Sequence, residues 1–224
     1  MNNNNLDHIA IILDGNKRWA KKNKLKNFDG YSKGFENIEN LVRYSLSINL
    51  SNLTIFTLSS ENFNRSTINV IYQIIYDNFN KIFTELVKNK GVKVKIFGSR
   101  NNLPSKIKNI FDDIENESIR NNKMNLNIAF NYGFKDEIKN ILTKIKDDKL
   151  NVNFEHEKNI SKLFYLGHLP DPDLLIRTGG YQRLSNFIMY NLTYTELFFT
   201  DTLWPEFTTK EFQLIIDKFM SINR

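Results

Sequence analysis

The strongest constraint on this chain is a repeated alternation. Short apolar runs end in polar turns, and each is followed by an amphipathic stretch. The runs at 9–13, 53–58, 92–97, 124–130, 174–176 and 197–203 have the length and content of buried strands. Residues 32–48, 67–89, 104–120, 135–145 and 156–168 carry apolar side chains at helical spacing, and Thr208 opens a closing amphipathic helix. Residues 20–29 read as a helix end and loop, and 146–155 as the least organised surface excursion. This β-α alternation predicts an α/β fold: one twisted, mostly parallel six-stranded sheet flanked by helices.

Neither an internal repeat nor a linker divides the 224 residues, and with 41% hydrophobic residues the chain can bury one core, so 1–224 reads as a single domain. The helix over 67–89 is apolar on more of its circumference than one sheet contact requires. Its second face either packs against a neighbouring element or lines an apolar tunnel between sheet and helices, for which Phe56, Phe97 and Phe130 are the candidate lining and Thr57 and Phe130 the narrowing residues.

The turn after the first strand, Asp14-Gly15-Asn16, is followed by Lys17 and Arg18. In a parallel sheet, ligands sit at the carboxyl ends of strands, where loops lead into helices. A carboxylate there beside backbone N–H groups and two cations suits a metal-bridged phosphate. Two further loops, 59–66 and 177–186, reach the same edge. The three together hold Asp14, Asn16, Arg18, Ser59, Asn62, Arg65, Arg177, Arg183 and Ser185. Four guanidinium groups with few acids form an anion site on the scale of a diphosphate, because each offers forked donors matched to phosphate oxygens.

The net charge of +6 agrees with an anionic partner without choosing one. No Lys/Arg block is long enough for a nucleic-acid arm, and no P-loop or Gly-x-Gly-x-x-Gly motif is present. Cysteine is absent, which excludes disulfide and thiolate chemistry, and the three histidines lack zinc-ligand spacing. No apolar run approaches a membrane span, and the polar amino terminus lacks a signal core, so a cytoplasmic protein is expected.

The motifs Asp14-Gly-Asn-x-Arg-Trp19, Ser59-Ser-Glu-Asn-Phe-Asn-Arg65, Asn131-Tyr-Gly133, Asp173-Leu-Leu-Ile-Arg-Thr-Gly-Gly180, Arg183-Leu-Ser-Asn-Phe187 and Glu196-Leu-Phe-Phe-Thr-Asp-x-Leu-Trp-Pro205 resemble the cis-prenyltransferases, nearest the undecaprenyl diphosphate synthases. The likeness runs from about 8 to 219. It implies a homodimeric enzyme that condenses isopentenyl diphosphate with an allylic diphosphate to a Z-polyprenyl diphosphate, with Mg²⁺. The product would serve as a cell-wall lipid carrier and leave at a membrane surface.

By the same resemblance Asp14 and Asn62 are catalytic, and Asp14 and Glu196 are the metal contacts. Asn16 and Arg18 would help Asp14 bind the allylic diphosphate, and Gly15, Lys17, Lys26 and Tyr31 would be further substrate-binding residues. Arg177, Arg183 and Ser185 would grip isopentenyl diphosphate. Ser59, Asn62 and Arg65 would order the loop that closes over the site, Glu61 would be a further substrate contact, and Trp19 and Phe63 would be apolar walls. No side chain is an obvious base for the proton lost at the end.

The chain departs from the family pattern at several positions. Tyr31 stands for a histidine, Asn27 for an arginine, Asn69 for a glutamate, Phe134 for a glycine, and Tyr181-Gln182 for a pair that includes a glutamate. Alternative readings are a short-chain or irregular prenyl diphosphate synthase, a non-catalytic accessory subunit of the same fold, and a basic protein of nucleic-acid or phospholipid surfaces. Retention of Asp14 and the arginines weighs against the accessory subunit, and the surface-binding reading predicts binding that weakens steeply with salt and no Mg²⁺-dependent product.

Overall fold

A computed structural model describes residues 6–63, 67–79, 85–147 and 153–222. The strands are β1 (His8–Ile12), β2 (Asn52–Ser59), β3 (Val92–Phe97), β4 (Met124–Tyr132), β5 (Leu174–Arg177) and β6 (Glu196–Phe199). The helices are α1 (Asn16–Lys22), α2 (Asn27–Ser47), α3 (Ile68–Ile74), α4 (Ser105–Ser118), α5 (Phe134–Lys146), α6 (Glu157–Ser161) and α7 (Thr209–Met220). All neighbouring strands are parallel, in the order β3-β4-β2-β1-β5-β6. The central strand β1 is flanked by β2 and β5, so the strand order switches direction beside its carboxyl end.

Alternate residues of each strand face opposite layers. Ile9, Ile11, Leu53, Ile55, Ile128 and Ile176 point into a large core closed by α2, α4 and α7, where Val42, Phe111 and Phe212 are buried. Ala10, Ile12, Phe56, Phe97 and Leu175 face a smaller cluster closed by Leu166, Phe187 and Ile188. Each such side chain contributes about 1.5–3 kcal/mol by leaving water.

The second layer is partly polar. His8 is fully buried, its Nδ1 2.7 Å from the Pro170 carbonyl and its Nε2 2.7 Å from Thr54 Oγ1. A carbonyl can only accept, so Nδ1 carries the proton and Nε2 accepts from the threonine hydroxyl. Burial lowers the pKa of this imidazole below 6.5. In the same layer Glu137 accepts from the Tyr132 hydroxyl at 2.5 Å and the Tyr165 amide at 2.6 Å, and burial raises its pKa above the usual carboxylate value.

Several boundaries differ from the sequence expectations. α2 begins five residues before 32, because the Asp29 carboxylate accepts from the Lys26 amide at 2.9 Å and caps the helix. The helix expected over 156–168 stops at Ser161: the chain tightens into a turn in which Gly167 packs on the Ser161 carbonyl, and Glu137 takes the Tyr165 amide. β6 ends at Phe199, where Thr200 Oγ1 accepts the Thr202 amide and bends the chain. The expected long helix over 67–89 is α3 followed by π-helical turns at Ile75–Phe79 and Glu85–Asn89, while 80–84 lies outside the described residues.

Candidate active site

The carboxyl ends of β1, β2 and β5 open into a cleft of about 680 Å³. At the centre, the Asp14 amide donates to Thr178 Oγ1 at 3.0 Å, and that hydroxyl donates back to the Asp14 carbonyl at 2.9 Å. The loops after β1 and β5 are thus fastened to each other. Gly15 turns the chain at φ 126°, and a side chain there would strike Leu203.

The Asp14 carboxylate is shared between two cations. Oδ1 lies 3.0 Å from Arg18 Nη2, and Oδ2 lies 2.8 Å from Arg177 Nη2. Arg18 also donates to the Gly179 carbonyl at 2.6 Å. Arg177, the last residue of β5, is only 3% exposed; it donates to Ser185 Oγ at 2.7 Å and to the Arg183 carbonyl. Its buried Nε has no hydrogen-bond partner among the described residues. Lys17, Arg18, Lys135, Arg177 and Arg183 line the cleft against Asp14 and Glu61 alone, an excess of positive charge.

Beside the cleft, between sheet and helices, lies an apolar cavity of about 80 Å³. Ile38, Ile74, Ile75, Ile96, Phe111 and Phe130 close it. Leu13, Asn16, Tyr31, Thr57 and Ile71 line both spaces, so the two meet at one rim. Of the narrowing residues expected, Phe130 and Thr57 are at this cavity.

The cleft therefore brings together Asp14, Gly15, Asn16, Lys17, Arg18, Tyr31, Ser59, Glu61, Asn62, Arg177, Arg183 and Ser185. Arg65 lies outside the described residues. Four expected site residues lie elsewhere. Lys26 is exposed at the cap of α2. Trp19 is about 100° around α1 from Arg18 and lines neither space. Phe63 packs against the large core after the turn at Ser60–Asn62. Glu196 begins β6 in register with Leu174, at the amino edge of the sheet, opposite the edge that carries Asp14. One chain therefore does not bring Glu196 to Asp14.

Phe56 and Phe97 also miss the apolar cavity, because strand parity points them into the second layer while Ile55 and Ile96 face the cavity. The sequence reading overlooked Lys135, Tyr181, Asn186 and Met189 as lining residues. Asn186 was legible as the neighbour of Ser185, and Lys135 as the second residue after the Asn131-Tyr-Gly motif; Met189 carried no signal.

No group of three or more acidic or histidine side chains suited to a metal occurs among the described residues. A lone carboxylate facing an anion site still fits Mg²⁺, which usually takes one or two protein carboxylates and completes its shell with substrate phosphates and water. Asp14 meets that description.

Comparison with known proteins identifies the family. Residues 12–224 match the family model for undecaprenyl diphosphate synthase. An isoprenyl transferase of Aquifex aeolicus is 37% identical, covering 97% of this chain and 94% of its own. A tritrans,polycis-undecaprenyl-diphosphate synthase (geranylgeranyl-diphosphate specific) of Pyrococcus abyssi is 36% identical, covering 97% and 85%. Among solved structures, lavandulyl diphosphate synthase from Lavandula x intermedia, in complex with dimethylallyl diphosphate, superposes with a TM-score of 0.89 at 28% identity, over 97% of this chain and 96% of that one.

Proposed function

The chain belongs to the undecaprenyl diphosphate synthase family of prenyltransferases, and on that premise we propose that it joins isopentenyl diphosphate to an allylic diphosphate, forming a Z-polyprenyl diphosphate with Mg²⁺. The observation that carries this reading is the shared rim: a cation-rich cleft sized for diphosphates opens at Leu13, Asn16, Tyr31, Thr57 and Ile71 into an apolar cavity. An amphiphile with an anionic head and a hydrocarbon tail matches both halves at once.

In this reading Asp14 holds the metal, and Asn16 and Arg18 orient the allylic diphosphate. Mg²⁺ held by Asp14 would supply charge neutralisation for the departing diphosphate. Arg177, Arg183 and Ser185 hold isopentenyl diphosphate so that its alkene faces the allylic carbon, and fixed orientation of the two reactants supplies much of the rate. Guanidinium donors already in place when the C–O bond ionises stabilise the developing negative charge without reorganising. Asn62, at the cleft wall, completes the polar enclosure.

Two further parts of the reading concern surroundings. Half-exposed Leu197 and Phe199 on the edge strand β6, with Met189 and Tyr194 nearby in sequence, suit burial against a second copy. The turn joining α1 and α2 sets exposed Leu25 and Phe28 among Lys21, Lys22, Lys24 and Lys26, a composition suited to an anionic membrane surface where a lipid product departs.

The test incubates purified protein with labelled isopentenyl diphosphate, Mg²⁺ and C10, C15 or C20 allylic diphosphates. Chain-extended lipid is expected. Its absence with every primer would leave the accessory-subunit reading standing.

A further inference from the structure

Tyr181, in the loop after β5, lines the cleft and is 44% exposed. Three guanidinium groups gather on its ring. The Arg183, Arg18 and Arg177 guanidinium carbons lie 4.3, 4.7 and 5.8 Å from the ring centroid. These three cations come from helix α1, the end of β5 and the loop after β5, and would repel one another if nothing lay between them. Asp14 compensates Arg18 and Arg177, but Arg183 pairs with no carboxylate among the described residues.

We propose that Tyr181 is a positioning residue, an aromatic hub that holds the three arginines of the cleft in one array where the two diphosphate sites meet. The inference rests on the reading of the cleft as a diphosphate site. Its physical basis is the way an aromatic ring attracts cations. The electron-rich face of the ring attracts each cation through its quadrupole and adds no net charge to the cleft.

The ring also outlasts the resting ion pairs. An entering diphosphate competes with the Asp14 carboxylate for Arg18 and Arg177, and a metal on Asp14 competes from the other side. Attraction to the ring consumes no hydrogen-bond acceptor, so N–H donors released by Asp14 are available to phosphate oxygens. Tyr181 therefore keeps the array together in the state where Asp14 is otherwise occupied.

Calorimetric titration with inorganic pyrophosphate, without added metal, tests this on the wild type, Tyr181→Phe and Tyr181→Leu, alongside the urea unfolding midpoint of each. Tyr181→Phe keeps the ring and is expected to bind within about twofold of wild type, whereas Tyr181→Leu is expected to bind about tenfold more weakly at an unchanged midpoint. Equal binding by all three would overturn the hub and leave the diphosphate site intact. Equal loss in both variants would assign the effect to the hydroxyl, and a lowered midpoint accompanying the loss would assign it to folding; either overturns the proposal. A wild-type protein that fails to bind pyrophosphate would remove the diphosphate reading itself.

Discussion

The cleft and the cavity share a rim and little else. The cleft is roomy, about 680 Å³, and its cations are held by specific bonds before any ligand arrives. The cavity is about 80 Å³ and closed by aliphatic and aromatic side chains. The contrast follows from the forces each region uses. Guanidinium recognition of phosphate is directional, so its donors must be fixed in advance. Hydrocarbon burial is non-directional and scales with area, so a tail is accommodated wherever side chains can yield. The head is gripped by a preformed array, and the tail makes its own room.

That division can be broken most sharply at Asp14. Asp14→Ala is expected to lower product formation by at least about 10²-fold, with an unfolding midpoint near that of wild type; unchanged turnover would mean the cleft does not carry the chemistry. At the other region, Phe130→Leu should cost about 1–3 kcal/mol of stability in urea titrations and lengthen the product, while pyrophosphate affinity stays put. A change in affinity instead of product length would show that the two spaces are not separable.

Acidification supplies a third contrast, at the opposite end of β1 from Asp14. His8 has a folded pKa held below 6.5 by burial, so the unfolded chain binds more protons in the window beneath that value. Its contribution to stability is therefore complete above pH 6.5 and lost as pH falls towards the folded value. The urea midpoint should fall with acid in wild type and fall less steeply in His8→Gln. The smallest effect is expected at the rim, where Tyr31→Phe removes one hydroxyl: about two- to tenfold in kcat/KM. A loss near 10³-fold would give that hydroxyl a part in the chemistry.

The sequence disclosed the cleft better than the cavity, for a physical reason. Asp14 and Arg177 stand where buried apolar runs stop, and in a parallel sheet such stops share one edge. The cavity depended on strand parity, which continuous apolar runs conceal, since both faces of a covered parallel strand are hydrophobic. Phe56 and Phe97 were accordingly assigned to the wrong layer. Lys26 looked like a phosphate ligand because a basic side chain carries no mark of its backbone's role as a helix cap. Glu196 sits only three residues from the carboxyl end of β6, yet at about 3.3 Å per residue that spans the whole short strand. Tyr181 was visible only as a departure from a pattern; its three cationic neighbours appear once the chain has folded.

The close packing of α2 on Asn16 has an engineering consequence. A methyl group on Gly34 would overlap the Asn16 side-chain oxygen, and one on Gly30 would overlap the Asn16 carbonyl. Asn16 stands in the doorway between the two chambers, so the bore of that doorway is gauged by two missing methyl groups. Attempts to retune this protein by enlarging residues along the α2 flank will jam the passage before they reshape either room.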